Sequence, residues 1–301
     1  MSGRIVCVGN GVLDQVYEVE ALPRVSVKTT ALNFRESGGG PAATAALAIA
    51  RLGGKASWWG RVGDDSAGHA LRAALTRHGV DLSGLAVIAG ARTVRAAVIV
   101  DRSGERSIFV DRNGLPSDAS HLPADDLAGT AVLLADSRWP EGSELALKRA
   151  RDAGVPRVLD ADGGNSEMLA RLAGLANHVV FSDEGLTDLV GAGEIEARLL
   201  RAAQRVQGVV AVTCGGAGSL WWIDGKISRI EAFRVEARDT TGCGDVFHGA
   251  YALGLAEAMP PLAAARFASA VAAAKAARGM GWDGMPDRKL IDSMMREEQK
   301  Q

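Results

Sequence analysis

Between residues 238 and 250, Gly242 and Gly244 bracket a small residue, Cys243, and a carboxylate, Asp245, follows at once. Backbone N–H groups free of Cβ crowding can converge on one concavity there, and a helix starting at this point adds the positive end of its dipole. Together they make an anion site. A carboxylate set inside an anion site has a task only if the anion meets a group that carries a proton. If the anion is the terminal phosphate of a nucleotide, Asp245 takes the proton of an attacking hydroxyl. The amides of Gly242, Cys243 and Gly244 then take up charge on the transferring group. An ordinary N-cap would also place an aspartate at a helix start, but it would need neither the two glycines nor the preceding Asp239-Thr240 pair.

The elements that must hold this stretch can be read on either side of it. Residues 230–235 alternate apolar and polar types and read as a strand, and 250–257 are apolar and alanine-rich, which reads as a helix with Asp245 in or just before its first turn. Farther back, the apolar run 5–9 reads as a buried strand ending in Gly9-Asn10-Gly11. That glycine pair is a weak dinucleotide fingerprint, because Asp14 stands where the third glycine is needed and no helix follows. Residues 16–34, which include Pro23, and residues 93–110, broken by a turn at 101–104, read as short exposed strands. Gly38, Gly39, Gly40 and Pro41 open a helix over 42–52 that stops at Gly53-Gly54, and the three bare glycines let a ligand lie against backbone. Beyond residue 130, apolar runs alternate with helical patterns, which implies βαβ units and a mostly parallel sheet covered on both faces. Thr213 to Gly218 again expose backbone amides after a strand at 209–212. No G-x-x-x-x-G-K-[ST] run exists, so phosphate must be held by glycine loops and a helix N-terminus.

Residues 239–245, Asp-Thr-Thr-Gly-Cys-Gly-Asp, resemble the D-T-x-G-A-G-D signature of the ribokinase-like, or PfkB, carbohydrate kinases, with Cys243 in place of alanine. Residues 60–68 resemble that family's G-x-V-G-x-D-x-x-G segment, although their glycines and acids suit a structural turn better than substrate contact. The resemblance extends over nearly the whole chain. It implies a single ribokinase-like domain over 1–301: a three-layer α/β/α body with a small β-lid from about 12–35 and 92–113, through which two copies would pair. It implies ATP and Mg²⁺ as cofactors and admits a monovalent cation. Asp245 becomes the catalytic base and Gly242, Cys243 and Gly244 the anion hole. Asp14, Gly38, Gly39 and Gly40 bind the sugar, while Thr213, Gly215, Gly218, Gly242 and Gly244 bind the nucleotide. The alanine-rich helix over 263–279 would line one side of the adenine slot.

Two departures narrow and complicate this. Residues 36–45 and 134–139 resemble, within the family, the bacterial sulfofructose kinases, in which a lid lysine and an arginine after a central strand meet a sulfonate. The matching positions are Lys28 and Arg138. Two converging cations favour a terminal sulfonate or phosphate, since a charge-assisted bond to a buried anion contributes about 1.5–3 kcal/mol. A solvated Lys28, and an Arg138 paired with Asp136 or a nearby acid, remain open, and Ala43 and Val110 replace asparagines that touch substrate in relatives. The acceptor is therefore 6-deoxy-6-sulfofructose or another sugar, sugar acid or nucleoside, with a non-catalytic binding regulator as the alternative outside enzymes. The second departure is Ser182-Asp183-Glu184-Gly185 in place of the N-x-x-E that orders metal-bound water, which leaves magnesium without a named anchor.

Composition agrees with a small-molecule enzyme. The chain has 301 residues, 47% of them hydrophobic, with a net charge of −2, so no global field recruits nucleic acid or an anionic membrane. Its three widely spaced cysteines form neither a disulfide framework nor a zinc site. With no long apolar span and no leader-like start, a cytoplasmic, unprocessed protein is expected.

Overall fold

Trp58 and Trp59 are neighbours in the chain and both fully buried, yet they belong to different hydrophobic cores, because successive residues of a strand face opposite sides of a sheet. The computed structural model describes residues 3–23, 28–102, 105–112, 114–124 and 127–298. The chain begins with β1 (Arg4–Val8), β2 (Val12–Val19), β3 (Asn33–Gly39), α1 (Pro41–Arg51), β4 (Ala56–Trp59), β5 (Arg61–Gly63) and α2 (Ser66–Arg77). Next come β6 (Ala86–Ile88), β7 (Arg95–Asp101), β8 (Arg106–Asp111), β9 (Thr130–Asp136), α3 (Pro140–Asp152), β10 (Arg157–Ala161) and α4 (Ser166–Ala173). It ends with β11 (His178–Phe181), α5 (Asp183–Val190), α6 (Ile195–Ala203), β12 (Val209–Thr213), β13 (Ser219–Ile223), β14 (Lys226–Ile230), α7 (Cys243–Ala256), α8 (Pro261–Arg278) and α9 (Arg288–Glu298).

Eight strands form the main sheet in the order β14-β13-β12-β11-β10-β9-β1-β4. The pairs from β12 through to β4 are parallel, and β13 and β14 are added antiparallel at one edge. Strands buried on both faces need unbroken apolar runs, and β1, β9 and β11 have them. One core lies against α1, α7, α8 and α9, and the other against α3, α4, α5 and α6. The expected α/β body with helices on both faces is therefore present.

The first core is built largely from alanine. Residues 42–49 of α1 are all buried, five of them alanine, and α7 and α8 are apolar nearly all round. Small side chains let helices approach until backbone meets backbone: a Cβ at Gly249 of α7 would lie 2.6 Å from the carbonyl oxygen of Ala45 in α1.

A second sheet, β3-β2-β7-β8, stands at one end of the first. It agrees with the expected small sheet in its parts but not in its limits. β3 runs on to Gly39, so Gly38 and Gly39 are strand residues, and α1 starts only after Gly40. Gly40 has φ 86°, and a Cβ there would crowd Asn10 O and Gly11 Cα at 2.8 Å, which fixes glycine at the position. The expected turn at 101–104 lies partly outside the described residues. Two further expectations change. The strand before the glycine loop is 226–230 rather than 230–235, because β14 ends at the length of its partner β13. The helix expected from 250 begins at Cys243, because Gly242 takes the left-handed turn that starts it, and Asp245 is thereby in its first turn.

Candidate active site

The chain leaves the main sheet at the end of β1 through Gly9-Asn10-Gly11 and passes directly into β2 of the small sheet. Between the small sheet, the loop before α7 and the end of α8 lies a cavity of about 780 Å³. Its wall carries Asp14, Gly38, Gly39 and Gly40 from one side and Gly242 and Asp245 from the other.

Gly242 has φ 72° and caps α7 without any side-chain hydrogen bond; of the amides at this start, that of Cys243 donates to Thr240 O at 3.2 Å. A Cβ built on Gly244 would meet nothing within 4 Å. Bare backbone at a helix N-terminus, open on one side, suits an anion. The loop before it is held from two directions. The N–H groups of Arg238 and Asp239 both donate to the carbonyl of Ala276, at 2.9 and 3.2 Å, and Arg106 of β8 donates to Thr241 Oγ1 at 2.9 Å. Asp239 Oδ1 accepts from Thr241 N at 2.8 Å, which closes the turn. The Asp245 carboxyl is pushed well above the usual carboxylate range by burial and by Asp160, while His248 pulls in the opposite direction. Its carboxylate form is a stronger base than an exposed one, provided the site keeps it ionised.

On the opposite wall, burial pushes the Asp14 carboxyl up to about 6, partly offset by the Arg35 guanidinium. Arg35, Ser37, Thr44 and Trp282 complete this wall and were not foreseen. Trp282 Nε1 donates to Thr44 Oγ1 at 2.9 Å and its backbone N–H to Ser37 Oγ at 3.2 Å. Its indole covers Gly38 so closely that any Cβ there would overlap the ring. No local pattern marks Trp282, which follows α8 in a short 3₁₀ turn and meets Ser37 only through the fold.

Lys28 and Arg138 are not brought together on this cavity. Lys28 is exposed, and neither residue is among those lining the wall. Arg138 is instead an ion-pair partner: its Nη2 donates to Asp162 Oδ2 at 2.8 Å and to Asp162 O at 2.7 Å. Asp136, suggested as its partner, has a different role. Oδ2 accepts from Asn10 N at 2.8 Å and Ala42 N at 3.2 Å, and Oδ1 from Arg138 N at 2.8 Å and Trp139 N at 3.3 Å. One buried carboxylate thus ties the exits of β1 and β9 to the start of α1.

Thr213, Gly215 and Gly218 lie at the end of β12, outside the wall of this cavity. Gly215 has φ 54° and open space where a Cβ would be, so this loop too offers bare backbone. Ser182 caps α5, accepting from Gly185 N at 3.0 Å, and Asp183 pairs with Arg198 at 2.7 Å. Gly185 sits so close to the carbonyl of Ala161 that a Cβ would overlap it, which closes to every side chain the position where relatives carry the N-x-x-E glutamate. In the 60–68 segment, Asp65 caps α2 through Gly68 N at 2.9 Å and accepts from Thr93 Oγ1 at 2.6 Å, a structural bond set. Among the described residues, no group of three or more His, Cys, Asp or Glu is placed to hold a metal ion, and no helix is long and apolar enough to cross a membrane.

Comparison with known proteins gives a consistent result. The model of the pfkB family of carbohydrate kinases matches residues 2–287. A fructokinase of Klebsiella pneumoniae is 31% identical over 276 residues, covering 85% of each chain. A crystal structure from Agrobacterium tumefaciens, of a protein assigned to the ribokinases, superposes with a TM-score of 0.91 at 35% identity over 100% of both chains. The Arabidopsis thaliana ribokinase, solved with ribose and ATP, gives a TM-score of 0.87 at 25% identity over 98% of this chain and 99% of that one.

Proposed function

The chain belongs to the pfkB family of carbohydrate kinases, and on that premise we propose that it moves the terminal phosphoryl group of ATP onto a hydroxyl of a small sugar. The observation that carries the reading is the pairing, on one cavity, of Asp245 in the first turn of α7 with Asp14 on the opposite wall. Asp245 takes the proton from the attacking hydroxyl oxygen, and the amides of Gly242, Cys243 and Gly244 hold the charge of the transferring group. Asp14 accepts hydrogen bonds from sugar hydroxyls, with the backbone of Gly38, Gly39 and Gly40 beside it. Thr213, Gly215 and Gly218 contact the nucleotide. ATP supplies the phosphoryl group when bound, and Mg²⁺ comes with its phosphates, which provide most of the metal's ligands. The bare backbone of Gly242 and Gly244 at the start of α7 fits such an anion, with the Cys243 amide turning from Thr240 O to join it.

For the acceptor, a sugar of fructose or ribose size is the first choice, in keeping with the fructokinase and ribokinase relatives. The 6-deoxy-6-sulfofructose reading rests on the 36–45 and 134–139 runs. Its sulfonate would need Arg138 released from Asp162, with Lys28 drawn in. The small sheet exposes Phe34, Ile108, Phe109 and Val110, with Leu32 just before β3, an apolar set suited to a second copy of the chain, so the protein is proposed to be a homodimer through that sheet.

The test is ATP consumption with product mass against fructose, ribose, fructose 6-phosphate, 6-deoxy-6-sulfofructose, 2-keto-3-deoxygluconate and adenosine. Phosphorylation of fructose or ribose supports the reading. Preference for the sulfosugar, weakened in Arg138→Ala, selects the anion-pocket alternative. Absence of transfer to every acceptor rejects the proposed reaction.

A further inference from the structure

Directly beneath Asp245, one turn along α7, His248 is 3% exposed and surrounded by acceptors. Its Nδ1 lies 2.7 Å from Gly244 O and 3.3 Å from Asp160 Oδ2, and its Nε2 lies 3.2 Å from Val180 O. A neutral imidazole has one N–H and one bare nitrogen. In this setting the bare nitrogen would face an oxygen lone pair whichever tautomer formed. Only the doubly protonated ring satisfies both sides. Its counter-charge is also at hand: Asp160, at the end of β10, is 2% exposed, and its Oδ1 has no hydrogen-bond partner. Were Asp160 the protonated member of the pair, its O–H would have only the already committed Nδ1 to donate to.

We propose that His248 is a resident imidazolium, paired with Asp160, which acts as a positioning residue that keeps Asp245 in its ionised, proton-accepting form. The inference rests on Asp245 being the base of the proposed kinase reaction. Four carboxylates, Asp136, Asp160, Asp162 and Asp245, act on one another around this point, with Arg138 as the cation facing them from the β9 side. A single buried positive charge among them offsets the repulsion that would otherwise protonate the base. The same ring has a geometric effect. By donating to Gly244 O it also holds the Gly244–Asp245 peptide that carries the base. Burial, the largest influence, holds the histidine below the usual imidazole range although the carbonyls of Val180 and Gly244 and the Asp245 carboxylate oppose it, and burial with Asp162 and Asp136 likewise pushes the Asp160 carboxyl up. The hydrogen-bond geometry decides for the charged ring, because the neutral one leaves a nitrogen against a carbonyl with no proton between them.

The experiment has two arms. Nitrogen-15 spectra of the histidine-labelled wild-type protein at pH 7, with His248 assigned from a His248→Asn variant, should show both ring nitrogens protonated. In Asp160→Asn the ring should become neutral. A neutral ring in the wild type overturns the proposal, and this arm needs no turnover. In the second arm, the acid limb of kcat/KM for the best sugar should move up by about one pH unit or more in His248→Asn, equivalent to at least a tenfold loss at the foot of the limb. KM for ATP should change less than about twofold. The double variant with Asp160→Asn should recover part of the shift. An unmoved acid limb, with the variant folded, overturns the positioning role. If wild type transfers phosphate to no acceptor yet carries the charged ring, the kinase reading fails while the charge assignment stands.

Discussion

The Asp14 carboxylate lies over the bare backbone of Gly39, so closely that a Cβ at position 39 would overlap Oδ2. The two occupy neighbouring strands of the small sheet, where Asp14 is in register with Ser37 and Gly39 with Val12. Glycine at 39 therefore makes the room in which the carboxylate can face the cavity. Gly39→Ala is expected to displace Asp14 and raise KM for the sugar about tenfold or more, while KM for ATP stays within about twofold. Steady-state kinetics on the two substrates check the split; an equal effect on both would place Asp14 in a different role.

Asp14 also predicts a pH dependence. Burial pushes its carboxyl up from the ordinary 3.8 to about 6 in the folded protein, with the Arg35 guanidinium opposing. As pH falls below about 6 the group becomes neutral and sugar binding weakens, so KM for the sugar should rise. The sign for stability is opposite. A raised folded-state value favours the fold below the unfolded value, and that advantage is lost as pH rises through about 6. Asp14→Asn should thus gain thermal stability relative to wild type between pH 4 and pH 7, as read by melting curves across that range.

Asp245→Asn keeps the size of the side chain and removes the proton acceptor. Its melting temperature should match or exceed that of wild type, since a crowded carboxylate is relieved of its charge. Turnover on the best acceptor should fall by about 10²–10⁴-fold. Wild-type turnover in a folded Asp245→Asn protein would remove Asp245 from the chemistry.

Two glycines of α7 should respond differently to the same change. At Gly244 a Cβ meets open space, so Gly244→Ala is expected to fold with near-native stability and lose activity by crowding the anion. At Gly249 the Cβ would lie 2.6 Å from Ala45 O, and Gly249→Ala should destabilise by about 1–3 kcal/mol. Denaturant midpoints and kinetics on the pair separate binding from packing.

Phe109, 63% exposed on the small sheet, gives a test of assembly. Phe109→Lys should shift the protein from dimer to monomer in sedimentation at micromolar concentration. A wild-type protein that sediments as a monomer throughout would reject the proposed interface.

Much of the architecture was legible because it follows from local physics. The apolar runs read at 5–9 and 209–212 fall within one residue of β1 and β12 at each end, since strands buried on both faces carry an unbroken signal. Glycine spacing likewise marked the bare backbone at Gly242 and Gly244. What could not be read depends on contacts far apart in the chain. Arg138 meeting Asp162, Trp282 closing over Gly38 and Asp136 gathering four amides are properties of the folded arrangement, with no signature in any short window. The helix at 183–190 was missed for a related reason. Its eight residues are too few to show a period, and its stop is a glycine that also resembles a turn.

The alanine packing of α1 against α7 has a further consequence. Alanine and glycine have no side-chain torsions, so where Gly249 meets Ala45 there is no rotamer with which to absorb a change on either side. The start of α7 is located by main chain resting on main chain, a joint without play. A substitution at Ala45, Ala46 or Gly249 cannot be accommodated by a neighbour turning aside and must be transmitted as movement of the whole helix. Variants there should behave as graded misalignments of one reaction centre, and their losses of rate should follow the distance by which α7 is displaced more closely than the polarity of the new side chain.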